Sequence, residues 1–476
     1  MLILTTILIY FCVLMLMGRL TSKKSNNETF YRGERKSPWY VLALGLVGAS
    51  ISGITFVSVP GMVIKQDMTY LQTCLGFILG YFVVAFVLLP VCYKLNLTTI
   101  YSFLQKRFGN RSYKTGALFF LLSEMTGTAL RFYVVCSILQ RFVFGPVGVP
   151  FVVTVVALVM LIWLYTRRGG IKTLVWTDTF QTFCMMAALL IIIVEVIGKL
   201  DMSVGDAVWA VVADSHSRIF VFDDWVSTQN FFKQFLSGVF IVVVMTGLDQ
   251  HMMQKNLTCK TLRDAQKDMC VGGFFFVPVN LLFLSLGVLL LLLAGKEGLA
   301  VPADSDELLP MFAASGWMGS LVLVLFSIGI VAASFSGTDS ALTAVTTSYC
   351  VDIKERPDDE TLRRRAHFGV CVLFAVFILA FRVINSTSVI DAIYIVLSYT
   401  SGPLLGLFAY GILTKRGVND RLVPYICVAA PVICFAINQI TVSLTGYKFG
   451  YELLMLNGML VFLGMYLTSH RAAKAA

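Results

Sequence analysis

Long apolar stretches alternate with short polar connections along the whole chain. They are centred near residues 10, 50, 80, 128, 158, 185, 242, 283, 335, 376, 401, 432 and 460, and a helix needs about 20 apolar residues to cross a bilayer. The pattern predicts an all-α polytopic membrane protein with about 13 transmembrane helices. The longest connections are too short for a folded domain, so we expect one transmembrane domain over residues 1–476.

Two of these stretches are interrupted by small and hydroxyl residues. The second contains Gly-Ala-Ser-Ile-Ser-Gly-Ile-Thr at 48–55, and the seventh contains Met-Thr-Gly-Leu-Asp at 245–249. The interruptions lie five spans apart, at the start of each half of a ten-span core. Such matched breaks are typical of inverted repeats whose unwound helices build a binding site near the middle of the membrane. In the alternative interpretation, the small residues only permit close helix packing.

The ninth stretch has a dense row of hydroxyl side chains around Asp339. Ser336, Asp339, Ser340 and Thr343 share one helix face because they are three and four residues apart. Oxygen atoms arranged in this way suit a hard cation. Alternatively, the hydroxyls bond to carbonyls of their own helix or bridge neighbouring helices.

A few ionisable residues also interrupt the apolar stretches, and such residues commonly mark functional positions in membrane proteins. They include Glu124 and Arg131 in the fourth span, Asp178 in the sixth and Asp249 in the seventh. Asp249 has the alternative role of a contact at a helix end, before a basic connection.

Charge is distributed unevenly over the connections. The chain is 58% hydrophobic and 13% charged, with a mean hydropathy of +0.82 and a net charge of +10. The excess Lys and Arg residues lie in alternate connections, among them Arg19, Lys23, Lys24, Arg107, Arg167, Lys255, Lys260, Arg364 and Lys415. Because such residues stay in the cytoplasm, we expect a cell-membrane protein with its N-terminus outside and its C-terminus cytoplasmic. The charge therefore does not indicate nucleic-acid binding.

The sequence gives little support for disulfides, a zinc site or enzymatic chemistry. The 11 cysteines fall in or near spans or in a cytoplasmic connection, so we expect no disulfide framework. The four histidines lack zinc-ligand spacing. No set of nucleophile and acid–base groups converges at one depth, so we do not expect an enzyme. The first stretch lacks a basic start and a cleavage site, which favours a spanning helix over a signal peptide.

Four segments resemble the sodium:solute symporter family, in the same order and on corresponding spans. They are residues 28–39, residues 169–181, the ninth-span run ending in Asp352-Ile353, and residues 402–408. The resemblance implies a leucine-transporter-type fold with two inverted five-helix repeats, at 39–200 and 230–413. One helix at 1–18 would precede the repeats and two helices at 422–468 would follow them.

The resemblance also implies a function, namely sodium-coupled import of a small polar or anionic solute by alternating access. The chain is most similar to bacterial members such as the sialic-acid transporters. Alternatives are a proton-coupled or uncoupled transporter of the same fold, a transporter-derived membrane sensor, or a channel. The expected partners are the solute, the lipid bilayer and sodium, with one ion or two, and a monomer would suffice.

The family's main sodium site uses carbonyls of the first broken helix together with oxygens of the eighth core helix. By position, the resemblance assigns the carbonyls of Gly48, Ile51 and Ala333 and the hydroxyl of Ser336. Gly337 stands where family members have a second Ser or Thr, so one oxygen is missing. Thr338 and water are the alternative sources of that oxygen.

A second sodium site, found in some members, corresponds to Asp178, Asp339 and Ser340. Family members have two serines at the last two positions, and two carboxylates repel each other unless a cation or a proton separates them. Sodium binding, proton binding and a purely structural role are therefore all compatible with the sequence.

Substrate contacts are expected at the first break, where the resemblance points to Ser50, Ser52 and Thr55, and on the next helix at Tyr70. Arg131 is a candidate for holding an anionic group. Its alternative is an ion pair with Glu124 or with another helix.

Overall fold

The computed structural model describes residues 2–22, 26–225, 227–313, 318–382, 389–447, 449–450 and 452–470. Lys23 and Lys24, which contribute to the predicted topology, lie outside these residues. The helices of the described residues are α1 (Leu2–Thr21), α2 (Asn27–Arg32), α3 (Trp39–Ser50), α4 (Gly53–Gln66), α5 (Tyr70–Val83), α6 (Leu89–Lys94), α7 (Ser102–Arg107), α8 (Asn110–Leu139), α9 (Phe151–Gly169), α10 (Ile171–Lys199), α11 (Val204–Ala213), α12 (Phe231–Val242), α13 (Gln250–Asn256), α14 (Leu262–Glu297), α15 (Leu308–Ala313), α16 (Ser320–Ser348), α17 (Glu360–Phe381), α18 (Val389–Leu413), α19 (Val423–Thr445) and α20 (Leu453–Leu467). The strands β1 (Gly417–Val418) and β2 (Ser469–His470) pair antiparallel.

The predicted all-α membrane architecture is confirmed. Eight continuous helical segments are long and apolar enough to cross a membrane, and two bent helix pairs bring the number to 10. One of the eight joins α5 to α6 through a π-helical turn at Val84–Leu88. Three further apolar segments, Thr5–Thr21 in α1, Leu397–Leu413 in α18 and Leu453–Leu467 in α20, complete the predicted order of about 13 spans within the described residues.

Both predicted interruptions are real helix breaks. The axes of α3 and α4 differ by 60°, and the axis of α12 with its π-helical end differs from that of α13 by 70°. Each second half begins with a polar cap. The Ser52 side chain accepts a hydrogen bond from the Thr55 backbone N–H at 3.4 Å, and Asp249 accepts one from the His251 N–H at 2.8 Å. The caps satisfy N–H groups that a helix start would otherwise leave unpaired.

The two breaks are buried inside the bundle. α10 packs against both α3 and α16, while α14 packs along α3, α4 and α5. The additional first helix, α1, lies on α9, α10 and α16, and α19 and α20 pack on one another and on α18. Non-helical backbone at membrane depth is tolerated where protein surrounds it, and this arrangement provides that protection.

Glycines allow the first broken helix to approach its neighbours closely. Gly48 lies directly on the side chain of Thr182 in α10, and Gly53 lies on the side chain of Ser334 in α16. Since packing between helices drives association in a membrane, small residues at such contacts bring the backbones together. The sequence alternative of close packing is therefore also realised, at the same residues that form the break.

We predict that Gly48→Ala destabilises the bundle because its new methyl group would overlap the Thr182 side chain. Overpacking of this kind typically costs about 1–3 kcal/mol. The matched control is Gly127→Ala in α8, where an added Cβ meets nothing within 4 Å among the described residues. The control should gain about 0.5–1 kcal/mol from better helix propensity. Thermal unfolding in detergent without sodium would measure both changes, and equal melting temperatures would contradict the prediction.

Candidate functional site

A cavity with a free volume of about 120 Å³ lies between the two broken helices. The chain contributes to it from α3, α4, α5, α8, α12, α13 and α14. All of the sequence-predicted substrate residues line it, namely Ser50, Ser52, Thr55, Tyr70 and Arg131. These five predicted residues, which are up to 81 positions apart in the sequence (Ser50 to Arg131), therefore line one cavity.

One wall of the cavity carries hydroxyl groups. The Ser50 hydroxyl lies 3.1 Å from the Tyr81 hydroxyl, and the Ser52 and Thr55 hydroxyls are 3.3 Å apart. Thr246 adds a hydroxyl from the second break. Hydroxyls can both donate and accept hydrogen bonds, so this wall suits polar groups of either kind on a solute.

The rest of the lining is mainly apolar. They include Val59, Met62, Phe77, Ile241, Val242, Met252 and Phe276. A predominantly apolar lining with a few convergent polar groups is typical of sites for small organic molecules. Hydropathy does not identify these apolar lining residues, because it cannot distinguish apolar side chains that face a cavity from those that face lipid.

The charged end of the cavity is formed by Arg131, Asp249 and His251. Glu124 lies behind it, where its carboxylate accepts a hydrogen bond from Thr128 at 3.0 Å and is 3.4 Å from His251 Nδ1. Within the described part of the chain, Arg131 has no carboxylate oxygen within 4.0 Å. The alternative ion pair between Arg131 and Glu124 is therefore absent from this structure.

His251 was not predicted as a site residue. It is 6% exposed, and its Nε2 atom has no hydrogen-bond partner among the described residues. Ligand atoms of Glu124, Asp249 and His251 lie within 4.8 Å of one another, close enough to share a cation. The sequence feature that could have indicated His251 is its position two residues after Asp249, at the second helix break. A polar residue at that position also fits the start of a loop.

The residues assigned to the main sodium site lie where the first break meets α16. In the described structure no backbone N–H donates to the carbonyls of Gly48 or Ile51, because α3 ends at Ser50. A Cβ added at Gly337 would meet only the Ala49 carbonyl oxygen among the described residues, at 3.9 Å. Ala333 lies one turn earlier on the same helix. The break thus brings the Ala49 carbonyl oxygen near the position that lacks a hydroxyl.

The hydroxyl row of α16 divides into two groups. Thr338, Thr343, Thr346 and Thr347 donate to carbonyls of their own helix at 2.7–3.0 Å, as the alternative interpretation proposed. Ser336 and Ser340 instead face Asp178 of α10, at 3.1 Å from Oδ1 and 3.4 Å from Oδ2 respectively. These two serines therefore direct their protons toward Asp178, as Ser348 at the end of the same helix does toward Asp352, at 2.6 Å.

The residues assigned to the second sodium site also come together. The Ser340 hydroxyl is 3.2 Å from Asp339 Oδ1, and the Tyr165 hydroxyl donates to Asp339 Oδ2 at 2.6 Å. A further residue is present that the sequence analysis placed in a cytoplasmic connection. Lys255 lies in α13, is 4% exposed, and places its Nζ atom 2.6 Å from Asp178 Oδ2. That assignment of Lys255 was wrong, because α13 continues the second broken helix inside the bundle.

Comparisons with known proteins agree with this architecture. The model of the family described as "Sodium:solute symporter family" matches residues 30–421. The sodium/sialic acid symporter SiaT of Proteus mirabilis is 23% identical, over 86% of this chain and 84% of its own length. The human sodium/iodide cotransporter is 25% identical, over 83% of this chain and 62% of its own length.

Solved structures support the leucine-transporter-type fold. A Na+-coupled sialic acid symporter in a substrate-bound outward-open state superposes with a TM-score of 0.81 at 20% identity, covering 98% of this chain and 97% of that one. Mhp1, a nucleobase-cation-symport-1 family transporter, gives 0.56 at 14% identity, covering 94% and 95%. With a family model that spans most of its length, the chain belongs to the sodium:solute symporter family.

Proposed function

We propose that the protein imports a small organic acid together with sodium, and that Arg131 binds the acid's carboxylate in the cavity between the broken helices. Sodium-coupled solute symport is the activity of the family to which the chain belongs. The observation that carries the finer proposal is the position of Arg131, which reaches the cavity without a carboxylate partner in the described structure. The direction of transport would follow the sodium gradient, which is directed inward across a cell membrane.

Arg131 is half-buried at the cavity wall, and a solute that fills the cavity would remove water from its guanidinium, which is energetically unfavourable unless the solute supplies an anion. A bound carboxylate would supply two acceptor oxygens in the planar geometry that arginine matches with paired hydrogen bonds. Arg131 would then be paired only in the loaded state. A neutral isostere of the acid would leave the guanidinium unpaired, so the anionic solute should bind more tightly than the isostere.

The remaining polar groups suggest that the acid also carries hydrogen-bond donors. The Asp249 carboxylate lines the cavity as a hydrogen-bond acceptor, and His251 also lines it, with its Nε2 atom buried and unpartnered among the described residues. With Nδ1 directed at Glu124, a neutral His251 would have its proton on Nδ1 and its lone pair on Nε2. A hydroxyl or an ammonium group on the solute would donate to Asp249.

Names of the relatives are consistent with an anionic solute. Besides the sialic acid and iodide transporters, the similar proteins include sodium-coupled monocarboxylate transporter 2 of Mus musculus, which is 24% identical over 82% of this chain and 64% of its own length. A carboxylate is common to a sialic acid and a monocarboxylate. The apolar walls formed by residues such as Val242 and Phe276 would contact the carbon skeleton.

Sodium would bind beside the first break. The unpaired carbonyls of Gly48 and Ile51, the Ala333 carbonyl and the Ser336 hydroxyl are hard oxygen ligands of the kind such a cation prefers. Because Gly48 and Ile51 lie on the same broken helix as Ser50 and Ser52, sodium would fix the backbone that shapes the substrate cavity. Binding of ion and solute would then favour each other, as reciprocal linkage requires.

The function is tested by reconstituting the full chain in proteoliposomes and measuring uptake of radiolabelled organic acids. An inward sodium gradient should drive accumulation, while potassium or a proton gradient of equal size should not. Candidate acids are first ranked by the increase in thermal stability that they cause with and without sodium, since ligands that bind the folded state stabilise it. Accumulation driven by protons alone, or conduction without accumulation, would contradict sodium-coupled symport.

We predict that Arg131→Lys lowers the apparent affinity for an acid far more than the apparent affinity for its neutral amide. Losing one partner of a buried charged pair commonly costs about 2–5 kcal/mol, and lysine cannot reproduce the two parallel hydrogen bonds. Arg141→Lys is the matched control, because Arg141 is an exposed arginine that pairs with Glu307 at 2.9 Å. The ratio of apparent affinities for acid and amide is the measurement. Equal losses for both ligands would remove Arg131 from carboxylate recognition.

A second prediction concerns the missing oxygen at Gly337. Gly337→Ser should add a hydroxyl on the part of α16 that faces the first break and tighten sodium binding, because the added side chain has room, with the Ala49 carbonyl oxygen 3.9 Å from the new Cβ. An additional ligand worth about 1 kcal/mol lowers the half-saturating sodium concentration roughly fivefold. Gly337→Ala is the control, with the same Cβ and no oxygen. If alanine and serine shift the sodium dependence of uptake equally, packing rather than ligation explains the effect.

A further inference from the structure

We infer that Lys255 is a tethered cation that takes the place of a second sodium ion between α10 and α16. The protein would accordingly carry one sodium ion per cycle rather than two. This inference rests on the sodium-coupled function proposed above and specifies its ion requirement. It follows from the geometry of five side chains that meet where α9, α10, α13 and α16 are in contact.

The ammonium group occupies the position that a cation would need. Lys255 Nζ is 2.6 Å from Asp178 Oδ2, and the Lys255 and Asp178 side chains are 5% and 1% exposed. The Ser340 hydroxyl, which bridges toward both carboxylates, is 3.4 Å from the same Asp178 oxygen. Asp178 Oδ2, an oxygen assigned to the second sodium site, is therefore already in contact with a positive charge. A sodium ion added at these oxygens would lie next to an ammonium group in a low-dielectric interior, where like charges repel strongly.

Charge accounting supports the same assignment. Asp178 and Asp339 bring two carboxylates into a buried cluster, and among the described residues Lys255 is the cationic side chain within 4.0 Å of either. Buried ionised groups are rare unless they are paired. Lys255 offsets one negative charge, while the Tyr165 and Ser340 hydroxyls donate to Asp339. The cluster is thus supplied with a cation by the chain itself.

The surroundings hold Lys255 in this position. All seven residues of α13 are buried, so the lysine stem has no short route to water along its own helix. Two glutamines on α13 fix that helix to its neighbours. Gln250 Nε2 donates to the Thr98 carbonyl at 3.1 Å, and Gln254 Nε2 donates to the Tyr31 carbonyl at 2.8 Å. The ammonium group is consequently presented to α10 by a helix with defined contacts.

An ion pair that only stabilises the fold would have the same geometry, so the test must count ions. Purified full-length protein in detergent, without solute, is equilibrated with radioactive sodium and the bound ions per chain are measured at saturation. Wild type should bind one ion. Lys255→Met keeps the length of the side chain but removes its charge, and should bind two. Adding Asp178→Asn to Lys255→Met removes the strongest ligand and should return the value to one.

The charge-conserving control is Lys255→Arg, which should stay at one bound ion. If Lys255→Met does not fold, Lys255→Met with Asp339→Asn leaves a single carboxylate and is again expected to bind two ions. Two ions in wild type would overturn the inference, and so would one ion in a folded Lys255→Met variant. No ion in wild type with one in Lys255→Met would support the tethered cation while contradicting the main sodium site. No ion in either protein would overturn both.

Discussion

Backbone groups that leave a helix inside a membrane must be protected from lipid, and this constraint shapes the transporter. Each unpaired carbonyl or N–H costs several kcal/mol in hydrocarbon, so both breaks lie where other helices enclose them. Ser52 and Asp249 cap the N–H groups that each break releases. The carbonyls of Gly48 and Ile51 remain free of backbone donors in the described structure. The break that must be protected from lipid thus also leaves unpaired backbone oxygens inside the bundle.

The sequence predicted the breaks because glycine, serine and aspartate in an otherwise apolar stretch are visible against a uniform background. It also predicted the residues of the first break that line the cavity, since these lie within one short segment of chain. The same reasoning failed for α13. Its sequence, Gln-His-Met-Met-Gln-Lys-Asn, is as polar as a cytoplasmic connection, and hydropathy contains no information about the neighbours that bury it. Lys255 and His251 were therefore missed as members of buried clusters.

The hydroxyl row of α16 illustrates a second limit. Helical spacing places Ser336, Asp339, Ser340 and Thr343 on one face, yet Thr343 donates to the Asp339 carbonyl while Ser336 and Ser340 face carboxylates. The contacts of these residues match the interpretation in which hydroxyls bond to their own helix or bridge to a neighbouring one, and cation binding by Ser336 and Ser340 stays a prediction. Which hydroxyl turns toward its own backbone depends on whether an acceptor stands opposite, and here the acceptor is Asp178 on another helix. Sequence spacing alone contains no record of that partner.

The two charged clusters of the protein are connected through α13. His251 lines the cavity between the broken helices and Lys255 pairs with Asp178, and the two residues are four positions apart on one helix face. Since α13 is only seven residues long, it cannot move one of these side chains far without the other. A shift of α13 that alters the charged end of the cavity must therefore also change the distance between Lys255 and Asp178. The cavity and the Lys255–Asp178 pair are therefore both connected to one short helix. If solute and sodium bind as proposed, this helix provides a physical connection through which the binding of each affects the other.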